Sequence, residues 1–203
     1  FKLNGCRKVK LGYSTTPTAV NHLLAFREGQ HLLETIMKIL DSVTPNRIGL
    51  YPFCFLASLA TFTSAIMVGL SYRLLSGDRS IGRNSYNVST TRDAFETFAG
   101  AVIIAPLIET LVFQMGILYV CRKIKLSDGL SILLATAIFS SAHLRNHLLN
   151  AINTLLLGFV LSFSYVYWLK WKQSHRAAFE SSMLIHALHN LTFFALLFVP
   201  SPI

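Results

Sequence analysis

Apolar residues in this chain gather into long runs instead of recurring at the spacing of a half-exposed helix or strand. Five runs stand out, at about residues 48–70, 98–120, 130–144, 148–169 and 178–199. An α-helix needs roughly 20 apolar residues to cross the ~30 Å hydrocarbon layer of a bilayer. Four of the runs reach that length and the third is short. Ahead of them, Leu32, Leu33, Ile36, Met37 and Leu40 recur at helical spacing with Gln30, Glu34 and Lys38 between. This predicts an amphipathic helix within residues 18–43, too polar to span, that lies on the membrane surface or packs on the bundle. Thr44-Pro45-Asn46 ends it. The longest polar loop, residues 76–93, contains Asn87-Val88-Ser89, a glycosylation sequon of a kind common by chance. The pattern predicts an all-α, polytopic membrane helix bundle of about five transmembrane helices plus an N-terminal amphipathic helix. Residues 1–47 form a basic tail and interfacial helix, and residues 48–203 the bundle.

Composition agrees with the pattern. Of 203 residues 53% are hydrophobic, above the 45–50% usual for a soluble domain. A net charge of +9 would suit a nucleic-acid binder, but the Lys and Arg residues sit in loops beside the apolar runs. There they set orientation and touch anionic lipid, so membrane lipid is an expected partner and nucleic acid is not. Thirteen Lys and Arg fall on the side of the N-terminus and five on the other, which predicts a cytoplasmic N-terminus. Cys6, Cys54 and Cys121 are scattered and suggest no disulfide framework. Residues 1–14 lack the pattern of a signal peptide. The chain opens at Phe1, so an upstream piece is expected.

Chemistry enters with the polar groups inside the apolar runs. Glu109 interrupts the second run, where a charged carboxylate facing lipid would cost roughly 2.5–3.5 kcal/mol. His143 ends the third run, and the fifth carries His186 and Asn190, four apart and so on one helix face. A single buried histidine is more often structural than catalytic. Polar groups on three separate spans have a use only if they converge, because each left alone is penalised. The same residue types mark proton paths, so a small proton-coupled carrier is a further class, disfavoured by the lack of an internal repeat. His147 is assigned to the interface, Gly116 and Gly158 to close helix packing, and His189, next to Asn190, to interhelical packing ahead of a supporting contact to the motif, while Asn150 and Asn153 either line the cavity mouth or bond between helices.

The order of these groups resembles the CAAX protease and bacteriocin-processing family of intramembrane proteases, whose motifs are EExxxR after an Ala-Pro, then FxxxH, then HxxxN or HxxxD. Here they read Ala105-Pro106-Leu107-Ile108-Glu109, Phe139-xxx-His143 and His186-xxx-Asn190. The resemblance covers about residues 94–199. It implies an intramembrane endopeptidase acting on a membrane-associated protein or peptide, with Glu109 activating water. His143 and His186 would position water and substrate, and Asn190 would donate to the oxyanion. The first motif departs from the family, with Thr110 and Gln114 in place of its second Glu and its Arg. A hydrogen bond between Thr110 and Gln114 is expected to replace the family's acid–base pair as a supporting contact. The departure also raises a second class, a catalytically silent membrane scaffold that binds a membrane protein partner. Two His and one Glu are a zinc ligand set as well. The resemblance implies a metal-free glutamate mechanism without cofactor, with zinc the alternative. Along ideal helices the three groups do not share one depth: Glu109, His143 and His186 lie about 18, 20 and 12 Å from the same end of the bundle.

Overall fold

The computed structural model describes residue 35 and residues 49–76, 90–144 and 148–196. The basic tail, the amphipathic segment 18–43 apart from Thr35 (helical and exposed), the Asn87 sequon and His147 lie outside the described residues. The five apolar runs become five helices: α1 Leu50–Ser76, α2 Thr91–Lys123, α3 Asp128–His143, α4 Leu148–Lys172 and α5 His175–Leu196. No strand occurs among the described residues, and the fold is an all-α membrane bundle. Three helices, α1, α2 and α4, are long and apolar enough to cross a membrane. With 16 residues, α3 reaches only about 24 Å. The 22 residues of α5 span about 33 Å, but its serines, histidines and asparagine dilute its apolar character.

Local signals set the helix ends. Thr90 caps α2 in a capping box: its Oγ1 accepts from the Asp93 N–H, while Asp93 Oδ2 accepts from the Thr90 N–H. At the other end Lys125 takes a left-handed conformation with φ 58°. Its N–H bonds the Arg122 carbonyl and the Leu126 N–H bonds that of Cys121, the pairing that closes a helix C-terminus. The Ser127 hydroxyl then accepts from the Leu130 N–H and starts α3 only four residues after α2 ends.

The hub is α4. Its apolar window is 56% buried, against 22% for α1 and 28% for α2, so those two present most of their apolar surface outward. Ile103, Ile104, Leu107, Ile108, Leu111 and Val112 form such a face on α2. In water it would be an aggregation surface, whereas in a bilayer it meets lipid. Two apolar clusters fill the interior. One gathers Tyr165, Val166 and Trp168 of α4 with Leu118, Ile132 and Phe53, whose ring packs 5.8 Å from Tyr167 and 5.7 Å from Trp168. The other joins Cys54, Phe139, Leu157, Leu161 and Ile185, directly beneath the polar groups.

Small polar residues line the buried stripes and let the helices approach. The stripe of α1 is Cys54, Ser58, Thr61 and Ala65. That of α5 is Ala178, Ser181, Ser182, Ile185, His186 and His189. Ser182 Oγ donates to the Leu161 carbonyl at 2.9 Å, and Ser140 Oγ to that of Ala151 at 2.5 Å. At the basic end of the bundle, Asp128 pairs with Lys170 at 2.5 Å and Arg122 at 3.7 Å, joining α2, α3 and α4.

Candidate active site

Pro106 shapes the helix that carries Glu109. Proline has no N–H and breaks the bonding ladder of a helix interior. In α2 the disturbance is absorbed by two π-helical stretches, Ala99–Ile104 and Thr110–Gly116, on either side of the α-turn Ala105–Glu109. In π winding a carbonyl bonds the N–H five residues on, as Gly100 does with Ala105. The corresponding partner of the Ala101 carbonyl would be Pro106, which has nothing to donate. That carbonyl is filled from another helix, by Asn190 Nδ2 at 2.8 Å. The Ala-Pro before Glu109 and the asparagine of α5 are thus two halves of one contact.

The bundle brings three of the four expected catalytic side chains together. Glu109 Oε2 lies 3.7 Å from His186 Nε2 and 3.8 Å from His143 Nε2. Both separations exceed a direct hydrogen bond of 2.7–3.2 Å. They also exceed the ~3.3 Å between neighbouring ligands of a tetrahedral zinc with bonds near 2.0–2.1 Å. Among the described residues no group of three or more His, Cys, Asp or Glu is arranged to hold a metal. The difference in depth has narrowed, because α5 starts at His175, three residues before the apolar run does. The site is open on one side: the side chains of Glu109 and His143 are 26% and 23% exposed, and that of His186 only 4%.

Protons can be assigned on His143. Its Nδ1 lies 2.9 Å from the Phe139 carbonyl, which only accepts. Nδ1 therefore carries a hydrogen, and the Nε2 facing Glu109 is the atom that gains or loses one. Phe139 itself is fully buried and packs against both imidazoles, with ring centroids 4.8 Å from His143 and 5.8 Å from His186. It fits because residue 158 is glycine. A Cβ there would stand 2.7 Å from Phe139 Cδ1, inside any tolerable contact. Gly158 was expected to serve helix packing, and it does so directly under the site.

One expected contact is corrected. Thr110 and Gln114 are fully buried, but Thr110 Oγ1 and both polar atoms of the Gln114 amide have no hydrogen-bond partner among the described residues. The reason is the π winding of Thr110–Gly116, which stacks residues five apart and takes these two out of α-helical register. Asn190 sits where its first amide hydrogen goes to Ala101, leaving the second. Thr61 escaped the sequence reading, which passed over α1 as an apolar span. Its hydroxyl lies 3.0 Å from His189 Nδ1. The 3–4 spacing of Cys54, Ser58, Thr61 and Ala65 was the available signal.

A groove of about 280 Å³ runs between α3 and α4, lined by Ala137, Ser140, Leu144, Ala151, Ile152 and Leu155. An all-helical membrane bundle with a carboxylate and two imidazoles at an open point has the form of an integral membrane hydrolase. Residues 92–192 match the family model described as Rce1-like, type II CAAX prenyl endopeptidase Rce1-like. Through this segment, which holds Glu109, His143, His186 and Asn190, the chain belongs to that family. No match was found among curated proteins or solved structures.

Proposed function

We propose that this chain is an intramembrane endopeptidase in which Glu109 activates water. The observation that carries the reading is the approach of Glu109 Oε2 to two histidine Nε2 atoms from two other helices, at a point partly open to the outside. An oxygen about 2.8 Å from Glu109 and from either imidazole fits over these separations, where a direct bond does not reach. The carboxylate takes a proton from that water as the oxygen attacks the peptide carbonyl. The proton passes to the leaving amine as the C–N bond breaks, from Glu109 directly or through His143 Nε2. His186, held in the interior, orients the water. Asn190 offers its second amide hydrogen to the oxyanion.

The family description supports a substrate of one class, a membrane-associated protein or peptide with a prenylated C-terminal CAAX sequence. The reaction is read as metal-free, as the resemblance to glutamate-type intramembrane proteases implies. The N-terminus is placed on the cytoplasmic side from the distribution of Lys and Arg. A second reading, a silent scaffold, is favoured by one observation: Thr110 and Gln114 are buried and unpaired where the resembling family carries Glu and Arg.

The test compares membranes of cells expressing wild type or Glu109→Ala. Uncut proteins are expected to accumulate with the variant, and processing by wild type should persist in chelator. Identical terminal-peptide profiles for the two would overturn the protease reading in favour of the scaffold.

A further inference from the structure

The water-orienting imidazole of His186 rides on a helix whose rotation must be fixed. A side-chain tip about 7 Å from a helix axis moves by about 1 Å when the helix turns by ~10°, and a 1 Å misplacement can cost on the order of 100-fold in rate. Two polar contacts hold α5 one turn beyond His186. The first is the bond from Asn190 to Ala101 in α2. The second comes from α1, which lies outside the family-matched residues 92–192.

Thr61 Oγ1 is 2.9 Å from the Ser58 carbonyl and 3.0 Å from His189 Nδ1. A hydroxyl has one hydrogen to give. The Ser58 carbonyl can only accept, and with that hydrogen given to it Thr61 accepts from His189, which then carries its proton on Nδ1. Both side chains are interior, Thr61 2% and His189 7% exposed. His189 shares the buried stripe of His186 three residues earlier, and its ring also packs on Phe193 at 5.0 Å.

We infer that Thr61 and His189 are positioning residues of this site: α1 completes the site by fixing the rotation of α5 and thereby the aim of His186 Nε2 at Glu109. The inference rests on the endopeptidase reading for its kinetic consequence and on geometry alone for the tautomer.

The test uses the full chain in proteoliposomes with a farnesylated, internally quenched CAAX peptide, together with nitrogen NMR of labelled histidines. In wild type His189 should show the Nδ1-protonated form. Thr61→Val should lose that signature and lower kcat about tenfold with KM within twofold, and Thr61→Ser should restore both. If Thr61→Val does not fold, His189→Gln, which keeps an N–H toward Thr61, should retain kcat within threefold while His189→Leu does not. Full turnover by Thr61→Val or His189→Leu beside an inactive Glu109→Ala overturns the inference. Full turnover by Glu109→Ala would instead overturn the protease reading, and the His189 signal would still decide whether Thr61 fixes its tautomer.

Discussion

At the scale of single residues, the site depends on one absence. Gly158 leaves the space that Phe139 fills, and Phe139 is the surface both imidazoles pack on. Gly158→Ala should therefore cost about 1–3 kcal/mol by overpacking, read as a lower Tm. It should also reduce turnover by displacing His143 and His186 together. An unchanged Tm would mean that the ring moves aside freely. Glu109, His143 and His186 were legible in the sequence because each breaks an apolar run at a cost that demands company. Their meeting point was not legible, since three points on three helices fix no distance. The pairing of Thr110 with Gln114 was misjudged for a related reason: four residues are neighbours only in α winding.

At the scale of the helix, α2 is built around a missing N–H. If Pro106 frees the Ala101 carbonyl and Asn190 fills it, the two residues must be energetically coupled. Pro106→Ala restores a donor five residues from Ala101 and makes the amide of Asn190 redundant. Asn190→Leu should then destabilise the wild type by more than it destabilises Pro106→Ala, by about 0.5–3 kcal/mol in a double-mutant cycle. Additive effects would sever the link. Hydropathy gave the existence and order of all five helices, with ends shifted by up to seven residues, as at Thr91. It gave no hint of the π stretches, because a single wider turn leaves the apolar pattern intact. The small-residue stripe on α1 was readable but says only that a neighbour comes close, not which one.

At the scale of the molecule, the bundle reverses a soluble protein: the polar groups meet inside and the apolar faces look out. The proposed cytoplasmic N-terminus, read from the predominance of Lys and Arg on one side, carries the loop at residues 124–127 to the same side. A cysteine at Lys125, in a variant otherwise lacking accessible thiols, should react with a membrane-impermeant maleimide in inside-out vesicles only. Labelling in right-side-out vesicles would invert the topology. The outward face of α2 carries a last consequence. Ile108, next to Glu109, is 54% exposed, and Leu111 is 52% exposed. The wall that bears the carboxylate is therefore also the wall that faces the acyl chains, and a substrate anchored in the same leaflet meets it by lateral diffusion. Encounter is then two-dimensional. Turnover should follow the mole fraction of substrate in the bilayer and not its amount per volume of buffer, so adding inert lipid at constant bulk substrate should slow the enzyme by surface dilution.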